Sequence, residues 1–89
     1  MAFQSRNLSV LAYANGFTLW HYATSDNATD VDTSGYFNPA ADLVRVGDMI
    51  VANTGSGATS AGGLFLVASN ASATVDLTNL TPVGATNTD

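Results

Sequence analysis

The apolar positions of this chain fall into short runs parted by Gly, Asn, Ser, Thr and Asp, and no run keeps a helical period for long. Residues 8–14 (Leu-Ser-Val-Leu-Ala-Tyr-Ala) are apolar enough for a strand or a helix. The Asn15-Gly16 pair that follows decides for a strand, because it is a strong signal for a tight hairpin turn. Residues 17–22 (Phe-Thr-Leu-Trp-His-Tyr) form the return strand, rich in aromatic and β-branched side chains. Strand geometry puts Phe17, Leu19 and His21 on one face and Thr18, Trp20 and Tyr22 on the other. Both faces carry large groups. The strand is therefore expected to be covered on both sides, with another subunit as the second cover.

Residues 23–34 lose the apolar signal and read as a solvated loop anchored by Val31. Residues 35–52 read as the seed of the core. Asn38 is placed to cap a helix start, Pro39 suits the first helical position, and Asp42 suits the positive end of the dipole. Gly47 stops that helix within about two turns. Leu43, Val44 and Val46 make an apolar knuckle, Gly47-Asp48 a turn, and residues 49–52 a buried strand. After a glycine-rich connector at 53–63, residues 64–68 (Leu-Phe-Leu-Val-Ala) form a second continuously apolar strand. It is expected to pair with residues 48–52 as a long-looped antiparallel hairpin. Residues 69–72 turn the chain, and residues 74–78 alternate as a half-exposed strand, apolar at Val75 and Leu77. Pro82 ends that run. Residues 1–7 read as a polar arm with one apolar foot, Phe3, that orders against a partner, and residues 84–89 as a polar tail. The pattern predicts one all-β domain: a small antiparallel barrel or sandwich of about five strands with one short helix.

Size and charge sharpen this picture. A chain of 89 residues buries only about 60–65% of its unfolded surface. It has no cysteine, so neither a disulfide nor a thiolate metal site can supplement the core. Oligomerisation is the remaining common route to added stability. There are two arginines, no lysine, no glutamate and seven aspartates, for a net charge of −5. That balance argues against nucleic acid and anionic membrane partners, both of which need clustered Lys and Arg. A surface made of Thr, Ser, Asn, Ala and Gly instead packs against a neighbour at little desolvation cost. No stretch approaches the ~20 apolar residues of a membrane span. The start, Met-Ala-Phe-Gln-Ser-Arg, lacks a basic region followed by an apolar run, which points to synthesis and assembly in the cytoplasm. Asn-x-Ser/Thr triplets at Asn7, Asn27, Asn70 and Asn79 are read as chance in so Thr- and Asn-rich a chain.

Candidate chemistry is sparse, and no enzyme activity or cofactor is expected. His21 is the only histidine, and it lies mid-strand between Trp20 and Tyr22 rather than at a loop end where a catalytic base usually sits. Asp26, Asp30 and Asp32 form the densest acidic cluster. They lack the spacing, the glycine and the terminal glutamate of an EF-hand loop, and a solvated acidic loop is the preferred reading. A glycosidase pair would need a cleft that 89 residues barely make. Residues 55–63 carry glycines but neither the lysine nor the helix of a phosphate loop. Trp20, Tyr22, Tyr36 and Phe37 are assigned to a core or a subunit interface in preference to ligand stacking. Arg45 is expected to form an exposed ion pair with Asp42 or Asp48, or to meet a partner.

Trp20-His21-Tyr22, the loop at 26–31, Gly35-Tyr36-Phe37-Asn38 and Val46-Gly47-Asp48-Met49-Ile50 together resemble small virion-associated proteins of tailed bacteriophages and gene-transfer particles. The resemblance spans residues 8–68 and brings no catalytic residues with it. It implies a capsid decoration (cement) protein or a head spike subunit, commonly trimeric, docked on the major capsid protein of a virion assembled in the bacterial host cytoplasm. The expected interface comprises Phe3, Arg6, Trp20, Tyr22, Tyr36, Phe37 and Arg45. The alternative is a tail or surface module that binds host glycans through Trp20, Tyr22 and Tyr36.

Overall fold

A computed structural model describes residues 3–57 and 60–84. Six strands form one sheet: β1 (Leu8–Ala14), β2 (Phe17–Ala23), β3 (Met49–Thr54), β4 (Ala61–Ala71), β5 (Thr74–Leu77) and β6 (Thr81–Val83). The spatial order is β1-β2-β3-β4-β5, with β6 also paired to β4. The all-β class with one short helix holds, but the sheet does not close into a barrel.

The hairpins follow the sequence pattern. Ala14 pairs with Phe17 across Asn15-Gly16, and Gly16 takes φ +78°, the left-handed conformation that glycine adopts without a Cβ penalty. Met49 pairs with Leu66 and Ile50 with Phe65, joining β3 and β4 antiparallel as expected. The turn after β4 falls at Ser72-Ala73 rather than at 69–72, with both residues at positive φ. That is the backbone of a two-residue primed turn built without its usual Asn-Gly.

One pairing departs from an all-antiparallel sheet. β2 and β3 run parallel, with Trp20 opposite Ile50 and Tyr22 opposite Ala52. Parallel neighbours need a long crossover, and residues 24–48 supply it. They hold the helix α1 (Ala28–Val31), where a solvated loop was expected, and a 3-10 turn (Asn38–Ala40) where about two turns of helix were expected. Asn38 does not cap a helix. Its side-chain oxygen accepts from the Val75 N–H at 2.8 Å, tying the crossover to β5. The carbonyls of Ala41 and Val44 both accept from Asn70 Nδ2 at 2.8 Å, so they are engaged by β4 instead of by an extended helix.

The core lies between the sheet and this crossover. Trp20, Tyr22, Ile50, Ala52, Phe65, Val67, Val75 and Leu77 face Val31, Phe37, Ala40 and Val44, all buried. Strand β6 was not expected, because Pro82 reads as a stop. Proline is tolerated on an edge strand, and here it lies opposite Gly63. A Cβ on Gly63 would meet the Thr81 carbonyl at 2.3 Å and the Leu80 side chain at 2.8 Å, so only glycine admits β6. The connector at 53–63 is shortened at both ends by β3 and β4. Residues 1–2 of the arm and 85–89 of the tail lie outside the described residues.

Candidate interaction surface

The aromatic residues expected at an interface are brought together, but inside the chain's own body. Tyr22 and Phe37 are fully buried, Trp20 nearly so, and Tyr36 and Phe3 are half-buried. The Phe3 ring stacks on Tyr22 at 5.4 Å and 6°, and meets Tyr36 edge-on at 6.3 Å. Phe37 closes the cluster, 4.8 Å from Phe3 and 5.1 Å from Tyr22. The N-terminal arm is thus docked on its own domain, beginning with Phe3. Burial of aromatic area is reason enough: such rings lose more by exposure than any other side chains.

A directed hydrogen-bond chain holds the cluster. The Gln4 N–H donates to the Tyr22 oxygen at 3.1 Å, which leaves the Tyr22 proton for the Tyr36 oxygen at 2.9 Å. Tyr36 donates in turn to Asp26 Oδ2 at 2.6 Å. Burial first, then the bond to Asp26, pushes the Tyr36 phenol well above its ordinary value of 10. Trp20 is fixed separately. Its indole N–H donates to Asp48 Oδ2 at 3.2 Å, while the Thr18 N–H donates to Asp48 Oδ1 and the Arg45 N–H to Oδ2. Of the three rings assigned to a glycan site, Trp20 and Tyr22 are enclosed and Tyr36 is half-buried.

The acidic residues of the 26–32 segment part company. Asp26 turns inward to Tyr36, whereas Asp32 lies within electrostatic reach of Asp30 and of Asp76 of β5. Partial burial, then the charges of Asp76 and Asp30, raises the Asp32 carboxyl above its ordinary value. Among the described residues no group of three or more His, Cys, Asp or Glu is placed to hold a metal ion. His21 sits half-buried on the sheet, its Nε2–H donating to Asn53 Oδ1 at 2.9 Å.

Of the seven expected interface residues, only Arg6 and Arg45 are exposed. The surface offered to a partner lies elsewhere. The crossover covers one face of the sheet. The opposite face presents Phe17, Leu19 and His21 of β2, Met49 and Val51 of β3, Leu64 and Leu66 of β4, and Val83 of β6, as the strand registers require. All are half-buried or exposed, with Met49 at 40% and Leu66 at 37%. A shallow depression of about 380 Å³ between Val51, Leu64 and Val83 lies over Gly62-Gly63. Strand β1 forms one edge of the sheet and exposes Val10, Leu11 and Tyr13, the last at 69%. The signal for this surface was present in the sequence: residues 49–52 and 64–68 are apolar at consecutive positions, the mark of a strand covered on both faces. Set against known proteins, the chain matches no family model, no curated protein and no solved structure, so the open sheet face and the β1 edge are what its function must be read from.

Proposed function

We propose that this chain is a structural shell component: a homo-oligomeric decoration protein that docks on the major capsid protein of a phage-like particle and acts by packing rather than by chemistry. The observation that carries the reading is the open sheet face, where apolar residues from four strands stand uncovered in a chain of only 89 residues. Exposed apolar patches of that kind mark interaction sites in soluble proteins. The polar groups support it. Every buried side-chain nitrogen or oxygen among the described residues already has a partner within the fold. The resemblance in Gly35-Tyr36-Phe37-Asn38 and Val46-Gly47-Asp48-Met49-Ile50 supplies the kind of assembly. The experiment is to purify particles from the bacterium that produces this chain and quantify it beside the major capsid protein by mass spectrometry. A fixed, near-stoichiometric ratio that survives gradient purification is the expected result. Absence of the chain from intact particles would overturn the reading.

A further inference from the structure

We infer that the open sheet face is covered by a second copy of this chain, the two sheets stacked face to face about a two-fold axis. The inference deepens the assembly reading above and rests on it, by naming the surface and its occupant. Three observations carry it.

The first is pattern. β2, β3 and β4 carry large apolar groups on both faces, and the crossover covers one of them. A sheet with two apolar faces is stable as the middle of two covered layers. Sheet-on-sheet packing is the usual way to supply the missing layer when no helix is at hand.

The second is charge. The positions of β1–β4 and β6 on this face, among them Ser9, Leu19, Met49, Leu66 and Val83, include no aspartate or arginine. Asp76 of β5 comes nearest, opposite Ser69 beyond the bulge in β4. A copy with net charge −5 repels its twin everywhere except where the charges are absent. On the uncharged face two copies can meet without opposing carboxylates.

The third is area. Five strands spaced about 4.8 Å, each about six residues long at ~3.4 Å per residue, present roughly 500 Å² in projection. Two such faces, with side-chain relief counted, hide on the order of 1,000–1,200 Å², the threshold for a specific interface. The row Leu19–Met49–Leu66 lies at its centre, and the His21–Asn53 hydrogen bond gives it a polar flank.

Sedimentation across a concentration series tests this on the full chain, with Met49→Asp and Leu66→Asp as probes and Leu43→Asp, on the crossover, as control. Met49 and Leu66 are partly exposed, so the variants should fold, which circular dichroism verifies. The expected result is a two-copy species whose dissociation constant rises at least tenfold in either probe variant and stays put in the control. An unpaired carboxylate forced into a dry interface has that effect. Hydroxyl-radical labelling of Met49 in the unaltered protein gives a second readout, since association should protect it as concentration rises. An oligomer that ignores both substitutions and leaves Met49 labelled equally at all concentrations overturns this interface while leaving the assembly reading intact. A chain that stays monomeric up to about 1 mM overturns the pairing outright, and the particle measurement then judges the assembly reading alone.

Discussion

Asp48 is buried and receives three N–H donors: the Thr18 backbone, the Trp20 indole and the Arg45 backbone. One carboxylate thereby joins the start of β2, the largest core ring and the turn that launches β3. Removing it strands those donors in the interior, and each buried orphan costs about 1–3 kcal/mol. Asp48→Ala should therefore lower the unfolding free energy by about 3 kcal/mol or more, read from urea denaturation. Tyr36 makes a different forecast. Its phenol is held above the ordinary value of 10 by burial and by its bond to Asp26. Because the folded value exceeds the unfolded one, its contribution is complete below about pH 10 and is lost as pH climbs toward the folded value. The urea midpoint should fall as pH rises above about 10, and Tyr36→Phe should flatten that fall; an unchanged slope in the variant would assign it to other groups. In the sequence Asp48 reads only as half of a Gly-Asp turn. Two of its three partners lie 28 and 30 residues away, beyond the reach of any local pattern.

Elements whose identity depends on neighbours in sequence were legible. Asn15-Gly16 fixed the first hairpin, and the apolar runs at 49–52 and 64–68 located β3 and β4. Elements that depend on distant contacts were not. The helix expected after Asn38 is a single 3-10 turn because Asn70, nearly thirty residues on, takes the carbonyls at 41 and 44. The interface assigned to Trp20, Tyr22 and Phe37 was misplaced for a related reason: large rings on a strand signal burial, but the pattern does not say whose surface buries them. β6 was hidden behind Pro82, and the clue to it lies in Gly63, whose missing side chain admits the strand. Gly63→Ala should expel it, since the added methyl would sit 2.3 Å from the Thr81 carbonyl. Hydrogen exchange should show amide protection lost along the β6-facing edge of β4 while the β3 edge stays protected. Retention on both edges would mean that the backbone shifts to make room.

For the whole molecule, the distribution of charge matters more than its sum. Most of the aspartates lie on the crossover and the turns beside it, while β1–β3 carry none on either face. Copies that associate through an uncharged patch still repel through the remainder of their surfaces, and dissolved salt screens that repulsion over about 10 Å at 0.1 M. Association should therefore tighten as sodium chloride is raised from about 0.02 to 0.5 M, measured by sedimentation. Weakening with salt would instead point to an interface built on Arg6 or Arg45 against carboxylates.

The parallel pairing of β2 with β3 also governs how the chain reaches this shape. Each outer hairpin closes over a short span, on the microsecond scale of such units. Bringing Leu19 beside Met49 instead means organising the intervening chain, residues 20–48, first. Until that happens the two halves are separate ribbons with sticky flanks, and a ribbon from one molecule can join the complementary ribbon of another. Refolding at high concentration should accordingly yield exchanged species, and slow dilution the cleaner product.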